Sequence, residues 1–596
     1  MIKKLLDLLT KHERKRAGLL LGMILTMALL DMIGVASIMP FMAVLANPEI
    51  IQTNAMLNAV YQAASHHLGI NTTEQFLFAL GMLVFVLLVV SLAFKALTTY
   101  AKLRFVQMRN YSISMRLVEG YLHQPYSWFL SRHSADLGKS ILSEVGQVIS
   151  GGMTPMMNLI AHGAIAIALL TLLILIDPKL ALIVGLTLAT AYALIFKATR
   201  GLLGRIGKER VKANQRRFTA VSEAFGASKE VKVGGLEQAY IKRFAGPAQT
   251  FARHQATAQV ISQLPRFALE AIAFGGMLLV VLYLMAQSGS FASALPIIAL
   301  YAFAGYRLMP ALQQIYGAVT QLRFAGPALD ALHADLMSLQ PAYANPSQDA
   351  IALKEAITLN QIQFCYPNAP QPALKNLSLT IPAKSTVGLV GATGSGKTTT
   401  VDLILGLLEA QEGTLAVDGQ AITEHNRRAW QRAIGYVPQQ IYLADDTVAA
   451  NIAFGLQEKD IDQAAVERAA KIANLHEFVA NELPQQYQTT VGERGVRLSG
   501  GQRQRIGIAR ALYDNPQVLI LDEATSALDN LTEQAVMEAV HNLGHEITII
   551  LIAHRLSTVK SCDTIFLLEK GELKAQGAFD ELTHTNARFR AMAANH

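Results

Sequence analysis

Six stretches of the chain, near residues 17–46, 76–100, 153–176, 180–198, 266–286 and 293–316, are apolar over about the ~20 residues that a helix needs to cross a bilayer. A backbone in hydrocarbon has to satisfy its own hydrogen bonds, so each stretch predicts a spanning helix. Composition agrees: 52% of the 596 residues are hydrophobic and 16% charged, against about a quarter charged in soluble domains. At roughly 150 residues per folding unit, this length predicts about four units and excludes one compact soluble domain. Collagen, coiled coil and disorder are excluded by composition.

The net charge of +7, from 51 Lys/Arg and 44 Asp/Glu, raises the possibility of nucleic-acid binding, and its distribution argues against it. Residues 1–16 hold six cations (Lys3, Lys4, Lys11, Arg14, Lys15, Arg16), 101–150 another six and 198–265 twelve. The alternate connections are nearly empty: none at 46–75, only Lys179 at 177–179, none at 287–292. This is the positive-inside pattern, with both termini cytoplasmic in a multi-pass membrane protein and no nucleic-acid partner. The first apolar run reads as a retained span, since it is long and lacks a clear small-residue cleavage pattern. Ile2, Leu5, Leu6, Leu8 and Leu9 among lysines predict a short helix on the cytoplasmic membrane surface. In the outer connection, Ile51, Met56, Leu57, Val60, Tyr61 and Ala64 predict a small amphipathic helix.

Beyond residue 336 the character changes. A Pro-bearing, unperiodic linker at 337–350 leads into 351–596, where short apolar strands alternate with amphipathic helices. The expected fold is an α-helical membrane domain of six transmembrane helices over 1–336, followed by an α/β P-loop NTPase domain. Cys365 and Cys562 both fall in this second part and cannot form a disulfide framework, which suggests a reducing compartment.

The apolar run Thr386–Val390 feeds into Gly391, Ala392, Thr393, Gly394, Ser395, Gly396, Lys397 and Thr398, with Thr399 next. In this P-loop pattern the glycines let backbone N–H groups turn around phosphates, Lys397 reaches the β/γ-phosphates and the Thr398 hydroxyl can ligate Mg²⁺. ATP and Mg²⁺ are the implied ligands. A second buried-strand run, Val518–Leu521, ends in Asp522 and Glu523. At the carboxyl edge of a parallel sheet, Asp522 would hold Mg²⁺ through water and Glu523 would polarise the attacking water. Alone, an apolar strand ending in two acids is weak evidence, and its weight comes from the P-loop.

With Leu498, Ser499, Gly500, Gly501, Gln502 and Arg503 between them, these motifs resemble the ATP-binding-cassette ATPases. In that family the signature segment of one subunit caps the ATP held by the P-loop of the other. One set of motifs therefore implies a homodimer or a pairing with a similar half. The resemblance makes Tyr366 the aromatic that stacks on adenine. Gln439 becomes the glutamine that contacts Mg²⁺ and water, Asp529 part of the loop crossing the dimer, and His554 the switch that reads the γ-phosphate. It also makes Thr490–Gly495 the loop that meets the membrane helices. A six-helix domain ahead of one cassette resembles an ABC exporter half-transporter, with Glu223–Lys232 similar to a coupling segment. The intact hydrolytic residues argue against the alternative class, an ATP-gated channel or regulator.

Polar residues inside the spans are costly and tend to face a cavity or a partner. The candidates are Asp31, Lys95, His162, Arg266, Glu270 and Arg307. Lys95, Arg266 and Arg307 lie roughly 29, 30 and 21 Å from the outer helix ends at ~1.5 Å per residue. Such a cationic belt would suit a diphosphate headgroup. The competing reading is ordinary compensation: Arg266 with Glu270 at i,i+4, Arg307 with Asp31, and Lys95 extending toward the interface. The segments Asp31–Phe41, Gln124–Arg132 and Tyr301–Pro310 resemble bacterial lipid-linked-oligosaccharide flippases, which implies an inner-membrane flippase for a polyprenyl-diphosphate glycan. Lipid A, phospholipid, drug and peptide exporters remain open.

Overall fold

The computed structural model describes residues 1–70, 72–288, 291–340, 349–367, 369–492, 495–523, 534–539, 546–553 and 555–594. The chain divides into two compact units: Met1–Gln124 with Arg132–Ala342, and Tyr343–His596 with the short segment Pro125–Ser131.

The first unit is helical. Its principal helices are α1 (Lys11–Ala36), α2 (Thr73–Leu122), α3 (Thr154–Ile176), α4 (Pro178–Gly226), α5 (Glu237–Ser288) and α6 (Phe291–Ser338). Among the described residues, Lys11–Ala46, Thr73–Leu122, Ala135–Ile176 and Ala181–Gly226 are long and apolar enough to cross a membrane. The apolar windows 266–286 and 293–316 lie within α5 and α6. The window 17–46 is not one helix: it breaks after Ala36 and resumes at Ile38–Ala46. Pro40 has no N–H to give the Ala36 carbonyl, so the ladder is interrupted there, and Ser37 Oγ instead donates to Gly34 O at 2.9 Å.

The basic stretches at 101–150 and 198–265 are largely helical. The 50 residues of α2 extend ~75 Å at 1.5 Å each, more than twice the ~30 Å hydrocarbon core. Packing holds these polar extensions. Gly207 lets α4 close on α6, since a Cβ there would lie 2.4 Å from the Phe324 carbonyl oxygen. A buried network fixes the same region: Arg210 Nη2 meets Glu144 Oε2 at 3.0 Å, and Asn214 Nδ2 donates to Glu144 Oε1 at 2.7 Å and Ser143 Oγ at 3.0 Å. The Arg210 guanidinium also lies 5.7 Å from the Phe251 ring centroid and 5.9 Å from that of Phe324. Glu144 closes a π-helical turn, Ser140–Glu144, so four separate elements meet at one ion pair.

The connection at 46–75 forms the helix Ala55–Leu68, capped by Asn54. Its Leu57, Tyr61 and Ala64 pack on Val44, Ile51 and Phe76, whereas Met56 and Val60 are exposed. The short N-terminal helix is present at Ile2–Asp7, with part of its apolar face turned onto protein. Leu5, Leu8 and Leu9 are buried against protein, and only Ile2 and Leu6 of its predicted apolar face are exposed.

The second unit holds two sheets. β1 (Ala356–Phe364), β2 (Leu374–Pro382), β4 (Glu412–Val417) and β5 (Gln420–Ala421) form an antiparallel sheet in the order β2-β1-β4-β5. β3 (Thr386–Val390), β6 (Ile434–Val437), β7 (Val518–Asp522), β8 (Thr548–Ile552), β9 (Thr564–Glu569) and β10 (Glu572–Gly577) form the other, in the order β10-β9-β3-β8-β7-β6. Its strands β9, β3, β8, β7 and β6 run parallel. β3, β7 and β8 are buried along their whole length, as strands covered on both faces must be.

Glu144→Ala leaves Arg210 buried without its partner, a loss of ~3–5 kcal/mol. The thermal midpoint of the purified protein should fall well below that of Lys232→Ala, which breaks the exposed Lys232–Glu237 pair at a cost of ~1 kcal/mol or less. Equal midpoints would contradict a stabilising role for the network.

Candidate nucleotide site and intramembrane charge cluster

Strand register assembles the nucleotide site. Leu389 of β3 and Asp522 of β7 both pair with Ile552 of β8, and Val437 of β6 pairs with Leu521. The carboxyl ends of four parallel strands are therefore level, and the chain leaves them at Gly391, Gln439 and Glu523, where open parallel sheets present ligand groups. His554, which follows β8, lies outside the described residues, as do Asp529, Glu493 and Arg494.

The glycines of the loop are required by geometry. Gly391 has φ +151°, and a Cβ there would lie 2.3 Å from Leu568 O and 2.6 Å from Ser395 Oγ. Gly396 has φ +104°, with Leu374 Cδ2 2.7 Å from the same position. The helix Lys397–Ile404 follows at once, leaving the N–H groups of its first turn for anionic oxygens. Lys397 is buried and its Nζ donates to Gly391 O at 2.7 Å and Ala392 O at 3.3 Å, closing the loop on itself. Burial lowers its pKa, while Glu523 and Asp522 pull it back up.

Gln439 Nε2 donates to Glu523 Oε2 at 2.8 Å, which leaves the amide oxygen of Gln439 available to a cation. Glu523 sits in left-handed backbone, φ +50°, a strained conformation for a non-glycine residue, while its N–H donates to Ile552 O at 3.1 Å. Asp522 is buried and accepts a hydrogen bond from the Tyr436 hydroxyl, whose pKa is pushed up by burial and then by Asp522 and Asp402. The oxygens of Thr398, Gln439 and Asp522 are the hard donor set that suits Mg²⁺. Tyr366 is half-buried, its hydroxyl 3.1 Å from Thr399 Oγ1 and its ring edge-on to Phe364 at 5.0 Å. The predicted aromatic is thus beside the P-loop helix.

The signature segment caps a 13-residue helix, Gly500–Leu512. Ser499 Oγ accepts from Gln502 N at 3.2 Å and Gln502 Oε1 from Ser499 N at 2.8 Å, a reciprocal capping box. Gln502 thereby serves the cap, and the N–H groups of Gly500 and Gly501 are those left to meet an anion. Sequence reasoning gave Asp402, Tyr436 and Tyr126 no role of their own. Burial, then Asp522, pushes Asp402 up to about 6, and burial, then Asp402, raises Tyr126. Their proximity depends on tertiary packing, and no motif announces it.

In the membrane unit the predicted cations separate. Asp31, whose side chain is fully buried, accepts from Ser91 Oγ at 2.8 Å and Arg307 Nη1 at 3.2 Å, and Lys95 Nζ lies 3.5 Å from its other oxygen. Lys95 remains 35% exposed and Arg307 17%. Arg266 does not join them: its Nε pairs with Glu270 Oε1 at 2.7 Å, both side chains more than a third exposed. The structure forms the two pairs of the competing reading, Arg266 with Glu270 at i,i+4 and Arg307 with Asp31, and brings Lys95 to Asp31 as well, so two of the three cations share one carboxylate. Further along α2, Lys102 donates to Asn158 at 2.8 Å.

The family model described as ABC transporter matches residues 374–526, and the one described as ABC transporter transmembrane region matches 25–310. Over 490 residues, 80% of this chain and 81% of the relative, the sequence is 32% identical to the ATP-dependent lipid A-core flippase of Cupriavidus pinatubonensis. It is 33% identical over 445 residues to the chloroplastic ABC transporter B family member 29 of Arabidopsis thaliana, covering 74% of this chain and 69% of that one. Among solved structures it is similar to a bacterial Atm1-family ABC exporter with ATP bound, at a TM-score of 0.78 and 25% identity, with 98% of each chain covered.

Gly391→Ala should distort the loop by ~1–3 kcal/mol or more, weakening ATP binding at least about tenfold in a fluorescent-nucleotide titration. Unchanged affinity would contradict the steric reading. Asp402 has a folded pKa raised from 3.8 to about 6. The folded state therefore loses stability as pH rises through that interval, and the loss is complete above it. The midpoint advantage of nucleotide-free Asp402→Asn over wild type should grow from about pH 4 to about pH 7 and then level off. An advantage independent of pH would refute the assignment.

Proposed function

Since the chain belongs to the ABC transporter family and has the architecture of an exporter half-transporter, we propose that it works as a homodimer in a bacterial inner membrane, its termini cytoplasmic, flipping a phosphate-bearing glycolipid. The activity shared with its relatives is ATP hydrolysis coupled to transport.

In this reading Gly391–Thr399 cradles the phosphates and Tyr366 stacks on adenine. The Ser499–Gln502 helix end of one protomer closes on the γ-phosphate held by its partner. Lys397 moves its donors from the loop carbonyls to the phosphates. Glu523, oriented by Gln439, holds the attacking water, and Asp529 and His554 complete the composite site as the family resemblance implies. Magnesium bound by Thr398, Gln439 and Asp522 would neutralise charge building on the phosphates.

One observation carries the substrate class: Lys95 and Arg307 share a single carboxylate, so the cluster has a cation in excess and both cations keep some exposure. A phosphate group would compensate it, with Arg307 able to give forked hydrogen bonds. Lipid A-type glycolipids lead because relatives carry that name. Polyprenyl-diphosphate oligosaccharides are the second reading, supported by the small helix Ala55–Leu68 after the first span, a feature that the resemblance to lipid-linked-oligosaccharide flippases implies.

The test is ATP turnover in nanodiscs with lipid A, a polyprenyl-diphosphate glycan or a neutral diacylglycerol added. One of the two phosphate-bearing lipids should stimulate, and Arg307→Ala should raise its half-stimulating concentration about tenfold, the loss of one charged hydrogen bond. Stimulation by the neutral lipid alone, or an Arg307→Ala response equal to wild type, would overturn the phosphate reading.

A further inference from the structure

Asp335 stands in the last turn of α6 and gives its two carboxylate oxygens to two different partners. Arg132 Nη1 lies 2.8 Å from Oδ1, and the buried Tyr121 hydroxyl donates to Oδ2. Tyr121 belongs to the end of α2, and Arg132 lies in the connection that α2 leads into. Between them is Pro125–Ser131, the part of the chain before residue 343 that groups with the second compact unit. A single carboxylate therefore holds both flanks of that segment.

The N-terminal flank is fastened a second time. Gln124 is buried, its Nε2 donating to Gln340 O at 3.3 Å and its Oε1 accepting from Gln340 N at 3.4 Å. Gly120 leaves room for Leu339, whose Cδ1 lies 2.6 Å from where a Cβ would stand. The C-terminal flank has the ion pair, and Arg132 is 35% exposed. Pairs of that exposure add little net stability, so this one serves geometry more than folding. From Asp335 back to Arg307, α6 is unbroken over roughly 42 Å at 1.5 Å per residue. The helix held at Asp335 thus carries one of the two cations that share Asp31.

We propose that the Asp335 carboxylate is the joint by which movement of Pro125–Ser131 reaches the base of α6, making Asp335, Arg132 and Tyr121 positioning residues for the coupling of ATP turnover to transport. The proposal rests on membership of the ABC transporter family and is independent of the substrate reading. Two partners on opposite flanks are what the task needs. With both engaged the segment cannot shift without carrying Asp335 along, whereas with one released it can pivot about the other. A rigid helix then passes the displacement on, so a tilt at Asp335 moves Arg307.

Amide hydrogen exchange on the full chain in nanodiscs, with and without a non-hydrolysable ATP analogue and Mg²⁺, reads the joint without any transported lipid. In wild type the analogue should protect the P-loop, 391–399, and change exchange at 329–338 about fivefold or more, the usual scale of coupling between sites. Arg132→Gln and Tyr121→Phe should each keep the P-loop protection and a near-wild-type thermal midpoint while losing most of the change at 329–338. Arg132→Lys, which can still pair with Asp335, should recover it. A wild type with no change at 329–338 would overturn the proposal. So would an undiminished change in the double variant Arg132→Gln/Tyr121→Phe, or P-loop protection lost in step with it, which would mark a general structural role. Failed glycolipid stimulation with this exchange response intact would touch only the substrate reading.

Discussion

Hydrocarbon offers a backbone no hydrogen-bonding partner, so the membrane half of this chain is committed to helices before any tertiary contact forms. The apolar windows supply that commitment, but helices such as α2 run far beyond them into polar sequence. Outside the bilayer water competes for the same backbone groups, and side-chain packing has to maintain the helices. The Glu144–Arg210–Asn214 network and the close approach at Gly207 do this where α3's π-helical lead-in, α4, α5 and α6 meet. Inside the bilayer the same economy governs charge: Asp31 is tolerable because Ser91, Arg307 and Lys95 gather on it.

The cassette obeys a different constraint. Its central strands are buried and parallel, so their carboxyl ends form a level edge at which loops can hold polar groups without breaking the core. The P-loop, Gln439 and Glu523 occupy that edge. Chemistry and stability are thereby separated: the strands supply position, and the loops accept a close approach that only glycine allows at Gly391 and strain at Glu523.

The helices that hold the apolar windows, the P-loop and the acidic strand were legible because each is written in contiguous residues with a direct physical meaning. The polar helix extensions were not, since a basic, mixed-polarity stretch has the same local character in a loop as in a helix held by packing. The break at Ser37 had its signal in Pro40, hidden inside a window read for hydrophobicity alone. The cation belt shows the limit most clearly. Spacing along one helix already offered Arg266 to Glu270, but that Lys95 and Arg307, from different helices, meet on the same Asp31 is set by which faces pack together. Asp402 and Tyr436 gain their perturbed protonation only from neighbours distant in sequence.

In the proposed cycle, hydrolysis positioned by Glu523 drives a phosphate-bearing glycolipid across the bilayer. The direct measurement is the ATP-dependent change in leaflet accessibility of a fluorescent lipid A analogue in proteoliposomes, for wild type and Glu523→Gln. The account predicts sustained translocation by wild type with ATP, none with ATP omitted, and at most a single turnover's worth by Glu523→Gln. Sustained translocation by Glu523→Gln with ATP bound, or by wild type without nucleotide, would contradict it.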